Sequence, residues 1–354
     1  MASVRTASGL PFTIANLAMR GLVCAVPQEE VTNASLQATF GAEGVADVAR
    51  MIGVEARRRA APGQTTADLC QAAAQTLLAG LGWERDSVDA LIFISQTADY
   101  ALPATACALH GRLQLPSSCA AFDVNLGCSG YVYGLWLAGK MLDGLAIQRV
   151  LLLVGDTISK TVDPQDRATA LLFGDAGSAT ALEFDPLAAP AHFLLGTDGQ
   201  GERHLMIPAS AHRAYQDDDA RLAGRDPARL YMDGGEIFNF TLTHIPPLVN
   251  DLLTLAGQPR DRIDAFLFHQ ANTFMLKHII KKAKIPPEKA PMNMARFGNT
   301  SSASIPLLVC DQLPQLTSAA MTVAMFGFGV GYSWAAALME LPPLAVNQLI
   351  EVSP

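Results

Sequence analysis

Residues 120–142 read AAFDVNLGCSGYVYGLWLAGKML: an apolar, strand-like run, a turn at Asn125-Leu126-Gly127, then a long apolar pattern free of proline. That pattern predicts a strand turning sharply into a buried helix, with Cys128 at the joint. Gly127 and Gly130 flank the cysteine, so the backbone can turn tightly and approach a ligand where a side chain would block it. A helix start offers unpaired N–H groups and the positive end of the helix dipole, which favour thiolate over thiol and predict a reactive sulfur near neutral pH. A small buried thiol filling a core is the plainer alternative.

The same alternation continues along the chain. Residues 13–26 predict a first strand leading to Pro27 and a polar stretch where a helix could begin. Residues 45–59 predict a short helix, a Gly53 turn and the basic run Arg57-Arg58-Arg59, which reads as a solvated face. A helix over 66–81, a helix-to-strand step over 86–95, a helix opening at Pro103 and a strand over 150–155 follow, with Asp156 beginning a polar loop. Residues 168–182 predict two strands broken at Gly174-Asp175-Ala176-Gly177, and residues 186–229, richer in Pro, Asp, Arg and Gly, predict an exposed insertion or lid. Beyond it come a helix at about 236–256, a strand over 263–268, a helix after His269, a loop over 297–304, another helix and a strand over 319–325. One α/β order thus recurs in two halves, 1–185 and 186–354, with no repeat of identical residues. Sheets with helices on both faces are the expected packing.

With 354 residues, half of them hydrophobic and only 16% charged, the chain can bury a substantial core. A net charge of -8 argues against a general nucleic-acid binder, because phosphate contact needs excess Lys and Arg. The six cysteines show no CxxC pair or metal-ligand spacing, so neither a disulfide framework nor a metal site is expected, and a reducing, cytoplasmic setting fits best. The N-terminus lacks the features of a secretory signal, and no apolar run reaches the roughly 18 residues of a membrane helix.

Two later segments give Cys128 its context. Residues 264–268 form an apolar run ending in His269-Gln270-Ala271-Asn272, and the carboxyl end of a strand is where open α/β sheets place ligand-binding groups. Arg296-Phe297-Gly298-Asn299-Thr300-Ser301-Ser302-Ala303-Ser304 is a loop of small residues carrying one amide that can both donate and accept. Taken singly, His269 reads as structural and Asn299 as a turn former or cap. Cysteine at a turn-to-helix joint, then HQAN, then GNTSS, in that order at wide spacing, is a specific combination.

The combination resembles the thiolase superfamily, and most closely the β-ketoacyl-acyl carrier protein synthase III family. The likeness covers nearly the whole chain and includes Gly53-Val54-Glu55-Ala56-Arg57-Arg58, Pro103-Ala104-Thr105-Ala106-Cys107, Asp163-Pro164-Gln165-Asp166-Arg167 and Phe173-Gly174-Asp175-Ala176-Gly177. The resemblance implies an α/β, five-layered α-β-α-β-α fold of two similar halves and a homodimer, with no tightly bound cofactor. By carry-over, Cys128 takes an acyl group from a thioester of coenzyme A or acyl carrier protein, and His269 and Asn299 promote decarboxylation of a malonyl-type thioester. The oxyanion hole for acyl transfer falls to the backbone N–H groups of Cys128 and Val330. Val330 stands where the family tends to have glycine, which keeps the donor and narrows the space above the cysteine.

Other positions depart from the family. Residues 46–51, ADVARM, lack the Trp and the arginine placement that grip the coenzyme A nucleotide; Arg167 is retained, and Phe274 stands two positions after HQAN where an arginine is frequent. Leu102 occupies the place of a residue that reaches across the dimer toward the other subunit's acyl pocket. Asn272, Phe274, Lys277 and Lys281 complete the expected substrate or carrier contacts, with Lys277, Lys281 and Lys284 on one helix face. That face is either a solubilising surface or a dock for an acidic carrier protein. These departures suggest a carrier-protein or unusual acyl donor in specialised metabolism. Alternatives within the fold are an acyltransferase passing the acyl group to an alcohol or amine, and a non-catalytic subunit of a heterodimeric synthase. A cysteine peptidase is disfavoured, because its CGSC-type context is missing.

Overall fold

The computed structural model of the chain describes residues 8–144, 146–213, 215 and 220–354. Its first sheet has six strands in the spatial order Val346–Val352, Leu17–Pro27, Ala176–Phe184, Arg149–Asp156, Ala90–Ile94 and Ala120–Val124. The second has five, in the order Leu10–Ile14, Ala191–Thr197, Ser333–Leu341, Met321–Gly329 and Ala265–Phe268.

Side chains alternate across a strand, so each sheet presents two apolar faces that need cover. Leu91, Phe93, Leu151 and Leu153 pack with the helices Thr66–Leu81 and Thr105–Leu113 on the outer side of the first sheet. Their neighbours Ile92, Ile94, Leu152 and Val154 face inward, into a core shared with Phe193, Leu267 and Met325 of the second sheet and with the helices Gly130–Leu142 and Ser304–Gln312. Phe266, Phe268, Phe326 and Phe328 point to the far side, where Gly234–Ala256 and Thr273–Lys282 close the molecule. Helix, sheet, helix pair, sheet and helix make five layers, the thiolase fold.

The chain ends cross between sheets. Residues 13–26 are two strands instead of one: Asn16, at φ 63, breaks the run, sending Leu10–Ile14 to the second sheet and Leu17–Pro27 to the first. The C-terminal strand Val346–Val352 returns to the first sheet, parallel to Leu17–Pro27. After Pro27 comes a short strand, Glu30–Thr32, in place of an immediate helix.

Three further expectations are corrected. The run Arg57-Arg58-Arg59 is not a free solvated face: Arg57 is 3% exposed and donates to the Leu171 carbonyl (2.8 Å) and Asn33 Oδ1 (3.0 Å), while Arg58 pairs with Glu351. The strand Ala56–Arg58 pairs with Glu30–Thr32, which turns those guanidiniums toward backbone acceptors. Residues 168–173 are not a strand; the side chain of Asp166 accepts from the Ala168 N–H and opens the short helix Arg167–Ala170. Within 186–229, Ala191–Thr197 is a sheet strand with Phe193 and Leu194 fully buried, because its apolar run serves both faces of the second sheet. Residues 214 and 216–219 of that stretch lie outside the described residues. Among the described residues no helix is long and apolar enough to cross a membrane.

Candidate active site

Both middle-layer helices begin at one place. Ala120–Val124 ends, the chain turns through Gly127, and Cys128 precedes the helix Gly130–Leu142. Gly127 leaves little room there: a methyl group on it would overlap the end of the Gln96 side chain and stand 2.8 Å from Val330 Cγ1. From the other half, His269 follows the strand Ala265–Phe268, and Asn299 and Ser301–Ala303 lead into the helix Ser304–Gln312. Cys128, His269 and Asn299 line one cavity of about 60 Å³, together with Asn272, Phe328 and Gly329.

Asn299 is held by its backbone. Its N–H donates to the Leu172 carbonyl (2.9 Å) and its carbonyl accepts from Gly174 (3.0 Å), so the FGDAG and GNTSS segments are joined edge to edge. Its side-chain Oδ1 accepts from the Ser301 N–H (2.9 Å), and Nδ2 reaches the Ala271 carbonyl at 3.4 Å. That geometry fixes the amide and aims its donors at the cavity wall beside His269.

His269 is 2% exposed, with Nδ1 2.7 Å from Ser304 Oγ and its ring edge-on to Phe328. Burial pushes its pKa down to about 3; the bond to the Ser301 backbone pulls upward without offsetting it. The imidazole is therefore neutral at physiological pH.

Cys128 departs from the expectation of a thiolate. Burial, and after it the carboxylate of Asp156, push its thiol up to about 12. The Ser301 hydroxyl and the backbone N–H groups of Val330 and Cys128 itself pull the other way and are outweighed. The helix proper starts two residues later, at Gly130, and the surrounding apolar wall dominates the helix-start field. Val330 does not narrow the space over the sulfur: its side chain is turned against Gly127, and Gly329 is the residue that sits on Cys128, where a Cβ would stand 2.9 Å from Sγ.

Asp156, expected to begin a polar loop, is the last residue of the strand Arg149–Asp156 and fully buried. Its carboxylate accepts from Gln96 N–H (2.7 Å), Ser95 Oγ (3.1 Å), Thr97 Oγ1 (3.3 Å), and the N–H (3.2 Å) and hydroxyl (2.6 Å) of Ser302. It thereby ties the GNTSS turn to the first sheet beneath Cys128. Sequence reasoning passed over it, although a carboxylate at the carboxyl end of a buried strand is a usable signal. Ser301, with φ 50, was inside a recognised motif and carried no role, yet it contacts Asn299, His269 and Cys128.

The remaining predicted residues stand around the mouth or apart from it. Asn272 borders the cavity while its Oδ1 accepts from the Met275 N–H and caps the helix Thr273–Lys282. Phe274 is 45% exposed, stacks on Phe238 and meets His278 at a tilt. Lys277 and Lys281 lie on the exposed side of that helix. Arg167 is exposed and lies over Gly44; Leu102 is 83% exposed, beside the cis peptide at Pro103. None of these last four lines the cavity.

Comparison with known proteins gives the family. Residues 122–199 match the sequence family 3-Oxoacyl-[acyl-carrier-protein (ACP)] synthase III, and residues 253–341 match its C-terminal family. The beta-ketoacyl-[acyl-carrier-protein] synthase III of Thermosynechococcus vestitus is 32% identical over 93% of this chain and 99% of its own length. A 3-oxoacyl-(acyl-carrier protein) synthase crystal structure from Burkholderia xenovorans superposes with a TM-score of 0.97 at 51% identity, covering 98% of this chain and all of that one (100%). The synthase III from Pseudomonas aeruginosa superposes with a TM-score of 0.82 at 30% identity, over 93% and 99% of the two chains. The chain belongs to the β-ketoacyl-acyl carrier protein synthase III family of the thiolase superfamily.

Proposed function

We propose that the protein is a ketosynthase that loads an acyl group on Cys128 and joins it to a malonyl-type thioester with loss of CO₂. The observation that carries the residue assignment is the convergence of a buried thiol, a neutral imidazole and a fixed carboxamide on one narrow cavity, with two backbone N–H groups at the sulfur. In the first step the Cys128 sulfur bonds to the thioester carbonyl carbon, the carrier thiol leaves with a proton, and an acyl-cysteine remains. The N–H groups of Cys128 and Val330 stabilise the oxyanion of that step. In the second, the malonyl carboxylate departs as CO₂, and His269 and Asn299 donate to the thioester oxygen on which enolate charge develops. A neutral imidazole has one ring N–H; with the Ser304 hydroxyl donating to Nδ1, that N–H sits on Nε2 and passes from the Ser301 backbone to the thioester oxygen when substrate is bound, adding no counter-charge that would hold the carboxylate in place. The enolate carbon then attacks the acyl-cysteine, a carbon–carbon bond forms as the carbon–sulfur bond breaks, and Cys128 leaves as a thiolate that takes up one proton from solvent to regain its resting state.

The donors fit acyl-coenzyme A or acyl carrier protein, and no tightly bound cofactor is required for either step. For carrier docking we assign Asn272, Phe274, Lys277 and Lys281 around the mouth and Arg167 on its flank; Leu102 we assign to the acyl pocket of the second subunit in a homodimer. Intact-protein mass spectrometry after incubation with acyl-coenzyme A and acyl carrier protein thioesters tests the first step. The expected result is one acyl mass on the wild type and none on Cys128→Ala. An adduct that survives in Cys128→Ala would sink the assignment.

A further inference from the structure

We infer that His204 and Tyr332 clamp the backbone turn that faces Cys128, and so act as positioning residues for acyl transfer. The inference rests on the acyl-transfer role proposed above for Cys128. It starts from a backbone outlier. Tyr332 has φ 44, in the left-handed region that a bulky aromatic residue adopts only when its surroundings impose it. It closes the turn Gly329-Val330-Gly331-Tyr332, in which Gly331 is also left-handed, at φ 70.

What imposes the conformation comes from one segment and one helix. The Tyr332 phenol lies 2.6 Å from His204 Nδ1, and the Tyr332 carbonyl accepts from the Asp198 N–H (2.9 Å), so both ends of residues 198–204 hold this single residue. Its ring lies flat on Phe240, 4.2 Å between centroids at 8°, and covers Gly201, where any Cβ would overlap the ring. Burial, with Glu236, Asp233 and Asp198 nearby, pushes the phenol up to about 12, so it keeps its proton and is available as a donor to the histidine. At the other end of the turn, Gly329 sits against the Cys128 sulfur, and Ser333 is hydroxyl-to-hydroxyl with Ser129. The turn is thus stretched between the nucleophile and residues 198–204, and Val330 in its middle presents its N–H to the sulfur. Neither His204 nor Tyr332 lines the cavity, so their effect passes through the turn.

Releasing the phenol lets Tyr332 relax toward ordinary φ and carries the Val330 N–H away from the position of the oxyanion. The test is rapid-quench acylation of Cys128 by octanoyl-coenzyme A and octanoyl-acyl carrier protein, read by intact mass, for Tyr332→Phe, His204→Ala, their combination and His204→Asn. We expect Tyr332→Phe and His204→Ala each to slow the saturating acylation rate about tenfold, well short of deleting an oxyanion donor, with half-saturation unchanged. The double variant should be no slower than either single one, and His204→Asn, whose amide returns an acceptor oxygen near the Nδ1 position, should recover most of the rate. Wild-type acylation rates in the single variants, additive losses, or no recovery in His204→Asn would overturn the clamp, whatever happens to the melting temperature. Failure of the wild type itself to take an acyl group from either donor would overturn the acyl-transfer reading beneath it.

Discussion

Asp156 is a buried carboxylate that accepts two hydrogen bonds from Ser302, bracing the turn that carries Ser301 and Ser302, and three from residues 95–97, and its charge is felt at Cys128. Cys70 feels it as well. A thiol whose folded pKa lies near 12 against an ordinary 9.0 contributes stability below pH 9 and loses it as pH climbs toward 12. Asp156→Asn removes a negative charge from beneath the sulfur, so the pH profile of iodoacetamide alkylation at Cys128 should move to lower pH. The same change sets an amide N–H₂ or a weaker acceptor against Ser302, whose N–H and hydroxyl both need an acceptor. Malonyl-thioester decarboxylation should therefore fall by roughly an order of magnitude, on the scale of a lost buried charge-assisted bond. An unmoved alkylation profile would show that the charge at residue 156 does not reach the nucleophile. This residue also marks a limit of sequence reading. VLLLVGD announces a buried strand, but the five donors that make a buried carboxylate affordable come from segments far along the chain.

At the scale of elements, the helix Ala42–Ile52 ends in Gly53 at φ 74, whose N–H bonds back to the Ala49 carbonyl. A Cβ at Gly53 would overlap Thr273 Oγ1, at the start of the helix Thr273–Lys282 and next to Asn272 at the cavity edge. Gly53→Ala therefore meets both a left-handed penalty and a clash, and should destabilise the protein by roughly 1–2 kcal/mol. Urea unfolding should show a lower midpoint at unchanged slope, and because the Thr273 Cβ also stands 2.6 Å from the added methyl, Gly53→Ala made in a Thr273→Gly background should regain the steric part relative to Thr273→Gly alone. No recovery would mean that the backbone conformation alone sets the cost. The glycine turn after this helix was legible from sequence. Its contact with HQAN was not, because the two segments are distant in the chain and meet only when helix Ala42–Ile52 docks beside helix Thr273–Lys282.

At the scale of the molecule, the first sheet ends at Ala120–Val124, whose outer edge has no strand beside it among the described residues. Leu102 stands exposed in the loop that leaves the neighbouring strand Ala90–Ile94, before the helix Thr105–Leu113. An open edge of a central sheet favours pairing with a second copy. Sedimentation equilibrium is expected to give twice the 37.5 kDa chain mass, and Leu102 substitutions to shift acyl chain-length preference without abolishing acylation. A monomer with full activity, or selectivity indifferent to both small and large residues at 102, would refute that arrangement.

The sequence by itself determined what depends on near neighbours. The strand-turn-helix at Cys128, the helix Thr66–Leu81 and the strand before HQAN follow from periodicity and turn residues within a few positions. The order of the three motifs then identified the family. Tertiary structure decided everything that depends on what a segment is buried against. It split residues 13–26 between two sheets, buried Arg57 against the Leu171 carbonyl and the Asn33 side chain, and made a sheet strand of Ala191–Thr197 inside a stretch that reads as a lid. It also held Cys128 as a thiol where the helix start alone argues for a thiolate, because desolvation by the whole surrounding core exceeds the field of one turn of helix.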